Sequence, residues 1–393
     1  MRLQNFILRA SLHRLKVTIR DYYPEYYKFI IKGVSPLIAL LKYGVLKISG
    51  AEAYWFLQYR AGENKITKKW GGHNSIQNPL IFKLERITEL NFPKVLGYNM
   101  FNPSIACQAE NLLISWRISD NIVKPFTDSH GRSLYPISGF QGGIGIGCSN
   151  KNQVFKDGAI HNSKVLIQPD FDHRLEEHQI RDIFGRQVEF DDPRFVPENP
   201  NLIVLNGRYF PHSLDSNKPN FSPYLLNISE NNLKKIEVPS MGRYEKNWVP
   251  LSLSFRNLRL LRSTQPVSIV ELNLLNSSTQ ETIIEQNSNS GYHNGSNVIL
   301  LANEFFIRIV RERIHIKGLR AIHFSTFMLH DLDMKLILQT KPFILQKYGF
   351  EICNSITQFE DEILLAWGDN DEAAFLGSIK TDKILAWIFE NAL

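Results

Sequence analysis

The chain is short of cysteine, of uninterrupted apolar sequence and, over most of its length, of net charge, and each shortage closes off a class of protein. Only three cysteines, Cys107, Cys148 and Cys353, occur in 393 residues. An odd number at unrelated spacings fits neither a disulfide framework nor a thiolate metal site, so reduced thiols in a cytoplasmic protein are expected. The longest apolar run, VSPLIALLKYGVL at 34–46, is too short for a bilayer and carries Lys42. The N-terminal MRLQNFILRASLHRLK interrupts its apolar residues with arginines, so neither a transmembrane helix nor a signal peptide is expected. The histidines show no HExxH or paired-ligand spacing, so no metal and no cofactor is expected. There is no GxSxG, which argues against an α/β-hydrolase. GFQGGIGIGCSN at 139–150 has the glycines of a phosphate loop without the strand and helix that such a loop joins.

Charge is present but segregated. The formal net charge is +6, and residues 1–60 hold ten Lys and Arg against Asp21, Glu25 and Glu52, a local +7 that leaves −1 for the other 333 residues. The basic character therefore belongs to the N-terminus and gives no reason to expect nucleic-acid binding by the main domain. Leu8, Leu12, Leu15 and Ile19 recur at helical spacing with Arg9, Arg14, Lys16 and Arg20 between them. That pattern predicts a basic amphipathic helix, suited to packing on its own domain or to lying on an anionic membrane surface. Residues 1–70 are read as a basic α-helical segment, and the protein as cytoplasmic or peripheral to a membrane.

From about residue 75 the texture changes to short β-rich runs: NLLISWRIS (111–119), NLIVLNGRYF (201–210), LSLSFRNLRLLRS (251–263), SNVILLANEFFIRIV (296–310) and NSITQFEDEILLAWGD (354–369). Several read as two strands joined by a tight turn, and Asn206-Gly207 carries a hairpin signal. A compact polar cluster precedes each: FNPS at 101–104, DDPR at 191–194, EKNW at 245–248, HNGS at 293–296 and EICN at 351–354. Five such units predict an all-β, five-bladed β-propeller over residues 75–393, in which strand starts gather at one funnel. A two-sheet sandwich or a pair of β domains is the competing architecture.

The clusters supply the candidate chemistry. Asp192, placed before Pro193, is biased away from helical backbone, and Arg194 beside it is suited to a forked hydrogen bond with a carboxylate or a sugar hydroxyl. Asn102, Arg117, Lys246, Asn247, Asp369 and Asp371 are of the types that fix hydroxyls in direction and number. Trp248 offers an apolar platform for a sugar ring, or else a core indole.

The ordered set FNPS, SWR, DDPR, EKNWVP, GS and WGDNDEA, spread over residues 75–385, resembles the five-bladed propeller enzymes of glycoside hydrolase family 130 and their relatives in glycosyltransferase family 108. That group acts on β-mannosides by phosphorolysis, mannosyl transfer or hydrolysis. The resemblance implies that Asp192 is the proton donor, that Asn102, Arg117 and Asp371 contact sugar, and that Lys246 stands on the phosphate or acceptor side. Two departures stand out: the histidine that phosphorylases carry after the lysine blade is missing from LRSTQPVSI, and IVRER replaces another, leaving Arg311 or Arg313, with His293, as the groups for phosphate or acceptor. The expected function is inverting glycosyl transfer or phosphorolysis in glycan biosynthesis, on a glycan or sugar-phosphate substrate. The alternatives are an inverting hydrolase, with Glu198, Glu245 or Glu351 as base, and a non-catalytic propeller that binds a glycan or a protein.

Overall fold

The computed structural model describes residues 80–94, 98–119, 142–167, 188–209, 220–242, 245–264, 266–284, 292–314, 322–346, 350–369, 371 and 373–393. The basic segment expected at 1–70 lies outside the described residues. The described part is dominated by strands, with two short helices, Lys151–Asp157 and Thr381–Glu390. Neither is long and apolar enough to cross a membrane.

The strands form five sheets. In chain order, the first holds Asn99–Gln108, Asn111–Ser119, Gly142–Asn150 and Lys164–Ile167, and the second Glu189–Val196, Asn199–Tyr209, Asn220–Asn227 and Asn232–Lys235. The third runs from Val249–Ser254 through Asn257–Thr264 and Val267–Asn273 to Thr279–Ile284. The fourth is larger, with seven strands centred on the pair Phe305–Ile314 and Ile322–His330. The fifth holds Glu351–Phe359, Glu362–Asp369 and Ala373–Lys380, and is completed by Arg86–Glu89 from the opposite end of the described chain. The expectation of five like blades is corrected in this respect: four sheets are regular and four-stranded, and the remaining one is enlarged by short accessory strands.

Apolar layers lie between successive sheets. Strand Asn111–Ser119 shows how alternation makes them: Leu112, Ile114, Trp116 and Ile118, two apart, all point into the layer shared with Leu364, Ala366, Ala374 and Leu376 of the fifth sheet. Leu113, of opposite parity, packs on the layer shared with Phe190, Phe195 and Ile203 of the second sheet. Similar layers join second to third, third to fourth and fourth to fifth. The sheets thus follow one another around a ring, a propeller-like arrangement in which both faces of every sheet are covered.

Two local expectations change. Asn206-Gly207 is no hairpin turn; both residues sit inside the strand Asn199–Tyr209. The ring of Tyr224 lies where a Cβ on Gly207 would come within 2.2 Å of Cε2, so glycine is required by the crossing ring rather than by a turn. The Gly142–Asn150 stretch is likewise a strand, and Gly145 makes room for the indole of Trp116, 2.2 Å from its virtual Cβ.

Candidate functional site

The first strands of four sheets share one defect. In Asn99–Gln108 the pairing jumps between Phe101 and Ser104, in Glu189–Val196 between Asp191 and Arg194, in Val249–Ser254 between Pro250 and Ser252, and in Glu351–Phe359 between Cys353 and Ser355. Each jump inserts one extra residue, a β-bulge, and bulges re-aim side chains. The extra residue at the first two is left-handed, Asn102 at φ 49° and Asp192 at φ 46°. Asn and Asp accept this backbone more readily than other non-glycine residues, which is why these types stand there. Asn247 (φ 62°) and Asp371 (φ 57°) have the same handedness at the edges of their strands.

The bulges bring sequence-distant groups together. Asn102 Nδ2 donates to Asp192 Oδ1 at 2.8 Å. Arg117, opposite Phe101 in the neighbouring strand, places Nη1 3.6 Å from Asp192 Oδ1 and 3.6 Å from Asp191 Oδ2. Its guanidinium also lies over the Phe101 ring, 5.2 Å from the centroid, so a ring face and two carboxylates hold one cation. Arg208 Nε bonds Glu189 Oε2 at 3.0 Å directly across the strand pair. The Lys246 ammonium stands 5.0 Å from the Phe221 ring centroid. The charges of Arg311 and Asp371 act on the same group: Arg311 on Asp192, and Asp371 on both Arg117 and Arg311.

The two adjacent carboxyls are driven apart in acidity. Burial pushes Asp191 up, against the pull of Arg117, and the charge of Asp192 pushes it further. Burial also acts on Asp192, but Arg117, Arg194, Arg311 and the Asn102 bond outweigh it and hold this carboxyl below the usual range.

Burial, followed by the neighbouring charge of Arg311, pulls Lys246 down to about 8 from an ordinary 10.5, while Asp191 and Asp192 pull the other way. The folded value lies below the unfolded one, so the unfolded chain binds this proton more tightly. The resulting penalty is full below pH about 8 and is relieved as pH rises toward 10.5. Lys246→Met is thus expected to stabilise the protein at neutral pH by about 2–3 kcal/mol, with no gain above pH about 10.5. Urea melts across that range check it; a gain independent of pH would assign the effect to packing instead.

Of the residues singled out from sequence, Asn102, Arg117, Asp192, Lys246, Arg311 and Asp371 share this region. The others stand differently. Trp248, 1% exposed, is a core indole among Val196, Leu258, Leu260 and Val270, its Nε1 donating to Glu245 Oε2 at 3.2 Å, so the sugar-platform expectation is corrected. Arg194, also 1% exposed, spends its guanidinium on protein acceptors: the Asp192 carbonyl at 3.3 Å, the Gly295 carbonyl at 3.1 Å and Asn354 Oδ1 at 3.1 Å. It is a joint between three sheets rather than a fork turned to substrate. Asn247 is buried and takes its backbone N–H to Asn206 Oδ1 at 2.7 Å. His293 lies opposite Arg311 in the strand pair and is exposed.

Sequence reasoning missed Asp191, Glu189, Arg208 and Asn206. The doubled aspartate of DDPR was the available signal for the first. Asn206 was mistaken for a turn residue because its partner lies in another sheet.

No family model matches the chain, and no curated protein matches it. Solved structures do. A β-1,2-mannobiose phosphorylase from Listeria innocua, in complex with β-1,2-mannobiose, superposes with a TM-score of 0.50 at 12% identity, covering 78% of this chain and 99% of that one. A structure described with the GH130 family of mannoside phosphorylases, which contains glycoside hydrolases that target β-1,2 mannosidic linkages in Candida mannan, gives 0.50 at 11% identity over 78% of this chain and 97% of its own. At such identities the likeness establishes a common fold.

Proposed function

We propose that the chain is a carbohydrate-active enzyme on a five-bladed propeller, the seven-stranded fourth sheet counting as one of the blades, that acts on a β-mannoside or a similar glycoside with inversion. The glycosyl unit goes to phosphate or to a sugar hydroxyl, and Asp192 passes a proton to the departing oxygen. The observation that carries this reading is the gathering of Asp192, Asn102 and Arg117 with Lys246 and Arg311. A carboxyl can serve the leaving group while fixed cations stabilise an incoming or departing anion in a partly dry site. Proteins of the same fold include a β-1,2-mannobiose phosphorylase and glycoside hydrolases that target β-1,2 mannosidic linkages, which supports the substrate class.

Hydrolysis fits less well, because it needs a second carboxylate free to activate water. Glu351 accepts from the backbone N–H of Leu345 at 2.9 Å and of Gln346 at 3.0 Å. Glu245 accepts from the N–H of Gly242 at 2.8 Å and pairs with Arg262 at 2.6 Å, and Glu198 accepts from the N–H of Leu253 at 3.0 Å. All three candidate bases are thus engaged in holding loops and strand edges.

Proton NMR of anomeric signals tests the reading. The protein is incubated with β-linked manno-oligosaccharides, then with phosphate, then with mannose 1-phosphate or a nucleotide-activated mannose. A new signal that requires phosphate or a sugar acceptor is the expected result. Cleavage with water alone would make it a hydrolase, and silence from folded protein would favour a binding propeller. The sequence-based membrane contact of residues 1–60 extends this reading to a membrane-bound acceptor; anionic liposome binding that survives deletion of those residues would end that extension.

A further inference from the structure

Two consecutive strand residues ordinarily face opposite sides of a sheet. Asp191 and Asp192 do not: the left-handed turn at Asp192 and the bulge it creates bring Asp191 Oδ2 and Asp192 Oδ1 to the same distance, 3.6 Å, from one nitrogen of Arg117. Two carboxyl groups this close to a single cation cannot both ionise freely, because like charges in a buried site raise the cost of the second. Their surroundings decide which one yields. Asp192 Oδ1 takes a hydrogen bond from Asn102, and the carboxylate lies in the fields of Arg117, Arg194 and Arg311. Asp191 is 8% exposed, and its Oδ1 is buried with no hydrogen-bond partner among the described residues.

We propose that Asp191 is the proton-bearing carboxyl of this pair at neutral pH, and that Asp192 is the anion through which that proton reaches the substrate. The second half rests on the function proposed above; the first does not. The charged groups facing Asp191 are Arg117 from the first sheet, Arg208 and Asp192 from its own sheet, and Lys246 before the third. Arg117, Arg208 and Lys246 favour its anion, while burial and the Asp192 charge favour the acid, and the balance falls to the acid. In the step itself the O–H bond that breaks is on Asp191 and the one that forms is on the departing oxygen. Asp192 accepts and surrenders the proton in between, and both carboxyls are left as anions until solvent returns a proton to the pair.

This division gives the doubled aspartate distinct work. An acid held below the ordinary carboxylate range would be empty of its proton at neutral pH, whereas general acids work best with a value near the operating pH. A buried neighbour that keeps the proton removes the conflict. In this proposal Asp191 acts through Asp192, so its part is that of a positioning and proton-holding residue.

The test is an NMR titration of the full chain with aspartate labelled at the side-chain carboxyl carbon, which needs no substrate. One carboxyl is expected to keep its protonated shift at neutral pH and to titrate above the ordinary aspartate range. That signal should be missing from both Asp191→Asn and Asp191→Glu, the second of which keeps a carboxyl but removes the label. In Asp192→Asn it should persist and titrate lower, since a neighbouring anion is gone. A protonated signal that survives in either Asp191 variant, or the lack of any protonated aspartate at neutral pH in wild type, overturns the proposal. Silence in every sugar assay would defeat the proposed function and leave this titration untouched. Where turnover is measurable, Asp191→Asn should move the alkaline limb of kcat/KM to lower pH; an unmoved limb speaks against the relay.

Discussion

Asp192→Asn should lower turnover on the sugar substrate by roughly 10²–10⁴-fold, the usual contribution of a positioned acid, with sugar affinity changed far less. The substitution is close to isosteric, and asparagine tolerates the left-handed backbone that this position demands, φ 46°. Its amide oxygen can still accept from Asn102 Nδ2, so the contact that ties the first and second sheets survives. What disappears is a group able to carry a proton to the departing oxygen. Arg117 keeps the Asp191 carboxyl and the Phe101 ring beside its guanidinium. Anomeric NMR for turnover and calorimetry for sugar binding separate the two effects. Activity above about half of wild type would remove Asp192 from the proton path. Asp192→Ala should be worse on both counts, since alanine at positive φ adds roughly 1–2 kcal/mol of backbone strain.

Much of the architecture was legible because it rests on short-range patterns. Alternation in NLLISWRIS sends Leu112, Ile114, Trp116 and Ile118 to one layer, and the polar clusters before the strand pairs do mark sheet starts. The enlarged fourth sheet was not legible: Tyr292–Asn294, Ile299–Leu301 and Leu336–Gln339 are three or four residues each, too short for a periodic signal. Asn206-Gly207 was misread because a glycine needed by a ring from the next strand has the same letters as a glycine needed by a turn.

The site shows the same division. Residue types and their placement before prolines pointed to Asn102 and Asp192, and the structure adds the reason, a left-handed bulge at both. No one-dimensional pattern could show that Trp248 points into the layer between second and third sheets, or that Glu245 and Arg262, 17 residues apart, are paired. Side-chain direction at a bulge depends on the register with another strand. An Arg next to an Asp in sequence is therefore no guide to whether the two cooperate.

Arg194 makes that last point testable, because the joint and the ligand readings give opposite results. Arg194→Ala should cost roughly 3–5 kcal/mol of stability, the scale seen when one partner of a buried charged network is removed. Three acceptors lose their donor at once: the carbonyls of Asp192 and Gly295 and the Asn354 side chain. They belong to the second, fourth and fifth sheets or their edges, and Asn354 in turn donates to the Asn102 carbonyl of the first at 3.2 Å. One guanidinium therefore helps hold the bulges that present Asn102 and Asp192. Arg194→Lys should recover little, since a single ammonium cannot span acceptors arranged for a planar fork. Urea melts of both variants measure the loss, and sugar binding is compared below the transition where each remains folded. A variant as stable as wild type but with weakened sugar binding would return Arg194 to the substrate. Lost stability with affinity retained in the folded fraction would establish it as the joint on which the neighbouring carboxyls depend.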